Sequence, residues 1–421
     1  MYEKTTLKNG VRVVTSRMNH VRSATLILEF GVGSRHEPGE RAGISHFLEH
    51  MVFKGTEARP DAALLSQEIE GVGGILNAAT SRESTSYWAK VQSAHLAHTF
   101  EVMADMLRHS LFEPGELEKE RAVIIEEIRC TNDTPDDLIH DEIDEVVWGE
   151  QSVGRPIAGT ETTVGSISRE DLIGYLASQY RADRLVVTAA GDVRHEEVFE
   201  LAECYFGDLP NGSVDTFVPT EIQQSEPRLR LIKRSTEQAH LCLAFPALPY
   251  SDNRRFVQDM IDAVLSSGMS SRLFQEIRER LGLVYSVYAY FREYADVGQG
   301  VVYAGTDPQR VERTIEAILN ELDKLRQQPI PAEELARTKE LRKGRILVGL
   351  EDSRSVAEWI GGQELMFGEI LTPEQAMERV DAVTSDDVQE LANELVLPEH
   401  LNLAIVGPYD DEERFRALLR L

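Results

Sequence analysis

Ser168–Asp192 reads SREDLIGYLASQYRADRLVVTAAGD, and Thr384–Gly407 reads TSDDVQELANELVLPEHLNLAIVG. Each opens with a hydroxyl residue three positions before an aspartate. In such a box the two side chains satisfy each other's free backbone N–H groups and start a helix. Each helical stretch then leads to an apolar run, Leu185-Val-Val-Thr-Ala-Ala or Leu401-Asn-Leu-Ala-Ile-Val, and soon to a glycine. The two boxes lie 216 residues apart, at Ser168 and Thr384.

Working outward, an earlier pair also matches. Ser84–Val91 alternates like a strand and precedes a helical pattern at His98–His109. Gly298–Ala304 is strand-like and precedes a helical pattern at Pro308–Leu325. Self-similarity at this long period means a duplicated domain rather than a solenoid. Between the copies, Phe206–Arg228 is rich in Pro, Gly, Ser and Asp, the composition of a connection. The expected organisation is a first domain at 1–210, a linker at 211–227 and a homologous second domain at 228–421. Strand patterns mixed with long amphipathic helices predict an α+β fold, each domain a mostly antiparallel sheet packed with helices.

The 421 residues carry 44 Lys and Arg against 72 Asp and Glu, a net charge of −28. Phosphate would be repelled, so nucleic acid is excluded as a partner; a basic peptide would be attracted. No run of about 20 apolar residues occurs, so no membrane role is expected. The N-terminal MYEKTTLKNGVRVV lacks a basic stretch followed by a long apolar run, and the expectation is a cytoplasmic protein. Cys130, Cys204 and Cys242 are too few and too scattered for a disulfide framework.

The chemistry concentrates in Gly43-Ile-Ser-His46-Phe-Leu-Glu49-His50-Met-Val-Phe-Lys-Gly55. Histidines four apart on a helix lie one turn apart and can share a metal. At about 100° per residue, His46, Glu49 and His50 share one face, and Phe47, Leu48, Met51 and Val52 take the other. A zinc peptidase needs three protein ligands, an open position for water and a nearby carboxylate base. Glu49 adjoins His50 but points beside the shared position, which suits the base.

A third ligand should come from another helix, and Leu117–Arg129 (LEKERAVIIEEIR) offers one. Glu120 and Glu127 lie seven apart within its apolar stripe, while Glu126 falls about 100° off it. The geometry prefers Glu127 to Glu126. A buried carboxylate needs a partner; the alternative to a metal is a buried Arg or Lys. His95 and His98 have no evident carboxylate partner and read as surface. His140 lies in an acidic run, Asp136 to Glu142, and reads as part of a solvated face.

With these residues assembled, the chain resembles the inverted-zincin peptidases, the pitrilysin and insulinase family. Within it, the chain is most similar to the branch of the mitochondrial processing peptidase β subunit and its bacterial relatives. The resemblance covers Gly43–Gly55, Gly73–Thr80, Glu120–Glu127, Gly154–Gly159 and Ser271–Tyr288. It implies one zinc ion per chain on His46, His50 and Glu127, with Glu49 as general base. Glu120 matches a position that supports the metal site from behind the ligands. Asn77 and Ala78 match an edge strand that pairs with the substrate backbone, beside the scissile bond. Arg278 and Tyr285 match an arginine–tyrosine pair that grips the substrate carbonyl and stabilises the oxyanion.

At the repeat offset the second half reads FVQDMIDAVL from Phe256, with no metal motif. The resemblance implies that the two domains form half of a clamshell, closed by a second subunit. A chain carrying both the zinc motif and the Arg–Tyr pair fits a homodimer, with a heterodimer as the alternative. The expected function is a zinc endopeptidase acting on peptides or unfolded polypeptide inside a closed dimer chamber. The competing reading is a non-catalytic or partner-dependent peptide-binding subunit of the same family.

Overall fold

Eleven strands assemble into two sheets in the computed structural model, which describes residues 2–212 and 217–420. The first sheet contains β1 (Tyr2–Thr6), β2 (Arg12–Arg17), β3 (Ser23–Phe30), β4 (Ile75–Thr80), β5 (Thr85–Gln92) and β6 (Leu185–Gly191). The second contains β7 (Arg228–Lys233), β8 (Ala239–Ala247), β9 (Val284–Glu293), β10 (Gly298–Thr306) and β11 (Asn402–Gly407). Of the expected linker, residues 213–216 lie outside the described residues, and the described remainder forms neither helix nor strand.

The first sheet runs β1-β2-β6-β3-β5-β4 and the second β7-β11-β8-β10-β9. Apart from β1, the two orders are the same. Each sheet has one parallel pair, β2 with β6 and β7 with β11. The remaining pairs are antiparallel. The duplication is therefore a duplication of topology, and the fold is α+β. Both capping boxes form: Asp171 N–H donates to Ser168 Oγ and Asp387 N–H to Thr384 Oγ1, each at 3.1 Å.

β6 and β11 are buried along their whole length, so both faces of each sheet are covered. That explains their unbroken apolar runs, since alternation marks a strand with one wet face. One face of the first sheet packs Leu26, Leu28, Val187 and Ala189 against Phe100, Met103 and Phe206. Its other face, with Val14 and Val186, is covered by Ile360 from the helix Ser353–Phe367. In the second sheet, Leu241, Leu243 and Ile405 pack against Val264, Ile318 and Leu391. Its opposite face, with Cys242, Ala244 and Val406, takes Leu138, Ile139 and Ile143 from the helix Pro135–Trp148.

The two compact units therefore interleave along the chain. The first is Met1–Arg129, Arg155–Val218 and Leu347–Thr372; the second is Cys130–Gly154, Pro219–Ile346 and Pro373–Leu421. They differ from the division at 210–228 in two segments, because each sheet takes its second covering helix from the other half of the sequence. No helix among the described residues is long and apolar enough to cross a membrane.

Ile360 is 4% exposed and tests this assignment. Ile360→Ala should cost about 2–5 kcal/mol, the usual range for emptying such a site. The readout is a lower urea midpoint by circular dichroism. An unchanged midpoint would detach this helix from the first sheet.

Candidate metal centre

The helix Ile44–Met51 is short, and its anchoring comes from packing rather than length. Ile44, Phe47, Leu48 and Met51 are fully buried, while His46, Glu49 and His50 are half-buried. Its N-terminus has no capping side chain of its own, because the residue there is Gly43 at φ +95°. A Cβ at Gly43 would lie 2.5 Å from the Ala158 carbonyl oxygen, so both the backbone angle and the space require glycine. Glu37 supplies the missing acceptor. Its two carboxylate oxygens accept from Gly43 N–H and Ser45 N–H, each at 2.8 Å. Burial nevertheless raises the Glu37 carboxyl to about 7, with the two backbone bonds opposing it.

Opposite this face runs the helix Pro114–Asp133. Its Glu127 brings Oε2 to 3.9 Å from His46 Nε2 and 3.8 Å from His50 Nε2. The two imidazole centroids are 4.6 Å apart. Two turns back, Glu120 Oε2 accepts from His50 Nδ1 at 3.1 Å, and Glu120 Oε1 pairs with Lys54 Nζ at 2.7 Å. The Glu120 bond places the His50 proton on Nδ1 and turns the Nε2 lone pair toward Glu127. His46 is pushed down to about 4, first by burial and then by His50, so it is neutral at pH 7 with a free lone pair. Burial raises the Glu49 carboxyl, while Thr80 and His50 oppose the rise.

His46, His50 and Glu127 offer one ligand atom each, all within 4.8 Å of one another. Two imidazoles and a carboxylate are a donor set for zinc, and two ligands of one tetrahedral zinc ion lie about 3.3 Å apart. The three residues fit the metal. One expectation is corrected: Glu120 is buried, but the Glu127 side chain is 47% exposed. The last turns of its helix leave the core, and a site that admits substrate needs that open side.

Asn77 and Ala78 lie on β4, which ends its sheet and pairs only with β5 among the described residues. Asn77 is exposed and Ala78 half-buried. In the second unit the Arg278 guanidinium lies 4.8 Å from the centroid of the Tyr285 ring and 4.7 Å from that of Phe274. Tyr285 is 77% exposed. Arg278 sits on a π-helical segment, Phe274–Arg280, a widened turn that re-aims side chains. The helix Arg255–Ser266 stands where the repeat would put the metal helix. There Asp259 pairs with Arg342 at 2.9 Å, so a guanidinium, not an imidazole pair, meets the acid.

His98 is exposed, as its surface reading expects, but it does have carboxylate partners, and the reading of His140 as part of a solvated face is corrected. His98 Nε2 lies 3.1 Å from Glu68, a carboxylate 30 residues earlier, and Arg59 pairs with Glu68, Glu101 and Asp105. His140 is half-buried and bonds the hydroxyls of Tyr290 at 2.7 Å and Tyr288 at 3.1 Å. Three other residues at the metal centre were missed. Lys54 follows His50 by four and so shares its face, a signal that was available. Glu37 and Thr80, whose hydroxyl donates to Glu49 Oε2, come from loop and strand ends with no periodicity to mark them.

Residues 12–161 match the family description Insulinase (Peptidase family M16), and residues 166–342 match Peptidase M16 inactive domain. An uncharacterized zinc protease of Streptomyces coelicolor is 37% identical, over 98% of this chain and 91% of its own length. The chain belongs to peptidase family M16. Another uncharacterized zinc protease, from Bacillus subtilis, is 38% identical to this M16 chain, over 97% of it and 98% of the relative. A protease from Helicobacter pylori shares the fold, with a TM-score of 0.91 at 22% identity over 97% of this chain and 100% of the other. A peptidase M16 inactive domain from Pseudomonas fluorescens has a TM-score of 0.89 at 18% identity, over 97% and 98%. The stretch without a metal motif, from Phe256, falls inside the M16 part described as inactive.

Removing the Glu120 carboxylate leaves the His50 Nδ1 proton and Lys54 without their acceptor. Glu120→Ala should weaken zinc binding about 10–100-fold, measured by competition with a chromophoric chelator. Unaltered affinity would deny Glu120 its supporting role.

Proposed function

We propose that this M16 chain is a zinc-dependent endopeptidase that cleaves peptides or unfolded polypeptide segments. One observation carries the reading: His46, His50 and Glu127 converge on a common point while Glu49 shares the helix face of the histidines. Family membership supports peptidase chemistry, and the names of the relatives support zinc.

His46, His50 and Glu127 would hold one zinc ion per chain, which would supply a Lewis acid toward a peptide carbonyl and toward water. Glu49 takes the proton of the attacking water and passes it to the leaving amine. Glu120 holds His50 in its ligating tautomer. The free edge of β4 pairs with the substrate backbone, with Asn77 and Ala78 beside the scissile bond. Main-chain pairing asks little of the substrate sequence. Arg278 and Tyr285 grip the carbonyl and stabilise the oxyanion. The contact between the Arg278 guanidinium and the Tyr285 ring supports treating them as one unit. A net charge of −28 favours basic substrates. The working form is a homodimer that encloses its substrate.

The direct test is turnover of a peptide mixture by the purified chain, with and without a chelator. Zinc at one per chain and chelator-sensitive cleavage are expected. Zinc without cleavage would favour a partner-dependent subunit, and neither would favour a non-catalytic one. Glu49→Gln should keep zinc and bound peptide but lose about 10²–10⁴-fold in turnover. Retained turnover would remove Glu49 as the base. The dimer reading has its own test: inactive His46→Ala and Arg278→Ala chains, mixed, should recover part of the activity. A mixture as inactive as its components would end the shared-site reading.

A further inference from the structure

We infer that Thr80 is a positioning residue for the Glu49 carboxylate, fixing the base to the same strand that is proposed to hold the substrate. The inference rests on the reading of Glu49 as general base. Thr80 is the last residue of β4 and pairs with Thr85 of β5. Along β4 the exposed residues are Ile75, Asn77 and Ala79. Leu76, Ala78 and Thr80 alternate with them and are half-buried. From that inner side the Thr80 hydroxyl donates to Glu49 Oε2.

Thr80 can act as a fixed reference because the turn after it is locked. Ser81 N–H donates to the Ser84 carbonyl at 2.7 Å, and Ser84 N–H donates to Ser81 Oγ at 2.9 Å. A second loop clamps this turn. Ser34 N–H donates to the Ser81 carbonyl at 3.1 Å and Arg35 N–H to the Arg82 carbonyl at 2.8 Å. The buried Arg35 side chain pairs with Glu83 at 2.5 Å. A Cβ on Gly33 would lie 2.2 Å from the Ser81 carbonyl oxygen, so the clamp closes only over glycine.

A glutamate left to itself samples several rotamers, and ordering it costs side-chain entropy. A base must come within about 2.6–3.2 Å of the proton it takes. With Oε2 held by Thr80, the carboxylate has one orientation, set by the strand. A peptide backbone paired along β4 and the group that deprotonates its attacker then share one frame. Misplacement by about 1 Å costs on the order of 10²-fold in rate.

The test compares Thr80→Val with Thr80→Ser. Valine keeps the branched shape and the backbone N–H but has no hydroxyl; serine restores the donor. Steady-state kinetics on a peptide substrate are read with zinc content and melting temperature. Peptide affinity is read separately in the Glu49→Gln background. Thr80→Val should lose about 10–100-fold in kcat with KM changed less than about threefold. Zinc content, melting temperature and peptide affinity should stay at parental values. Thr80→Ser should regain kcat to within about fivefold of the parent. The inference is overturned if Thr80→Val stays within about twofold of the parent in kcat, or if Thr80→Ser is as impaired as Thr80→Val. It is overturned equally if the loss falls on KM and peptide affinity, since Thr80 would then serve only the strand. Turnover retained by Glu49→Gln alone would instead overturn the proposed base and, with it, any role for Thr80 in holding it.

Discussion

The burial of one face of an eight-residue helix carries the rest of the structure. Phe47, Leu48 and Met51 are driven into the first core, and that fixes the rotation of the helix about its axis. With 3.6 residues per turn, His46, Glu49 and His50 must then emerge together on the other side. Glu37 ties down the N-terminus that Gly43 leaves uncapped. Glu120 and Lys54 restrain His50 from behind. The Glu127 side chain stands 47% exposed beside them.

The duplicated topology shows how one scaffold carries two roles. Both units keep the same strand order and a helix cover on each sheet face. The first sets His46, Glu49 and His50 on the half-buried face of its helix. The second fills the matching helices with Asp259 and Arg342, a pair that needs no metal to balance its charge. Burial raises Asp262, on the same helix, to about 6, with Arg342 and Arg345 opposing. The second unit is thereby free to present other chemistry, and its exposed polar pair is Arg278 with Tyr285.

Much of this was legible in the sequence because it follows from periodicity. The duplication, both capping boxes, the metal helix and the preference for Glu127 over Glu126 all come from residue spacing. The covering helices were not legible as to destination. An amphipathic pattern such as Val356, Ala357 and Ile360 states that a face is buried, not which sheet buries it. The exposure of Glu127 was missed for a related reason: an apolar stripe does not reveal where a 20-residue helix leaves the core. Thr80, Glu37 and the Glu68 partner of His98 are single polar residues whose roles depend on contacts between distant segments. Nothing in their local sequence marks them.

X-ray absorption at the zinc edge of the zinc-loaded chain tests the central claim most directly. The account predicts only nitrogen and oxygen neighbours at about 2.0–2.1 Å, with the outer-shell signature of two imidazoles and no sulfur at about 2.3 Å. Replacing Glu127 by Gln should alter that spectrum, and replacing Glu126 by Gln should not. A zinc spectrum with a single imidazole, or one indifferent to the residue at 127, would contradict it.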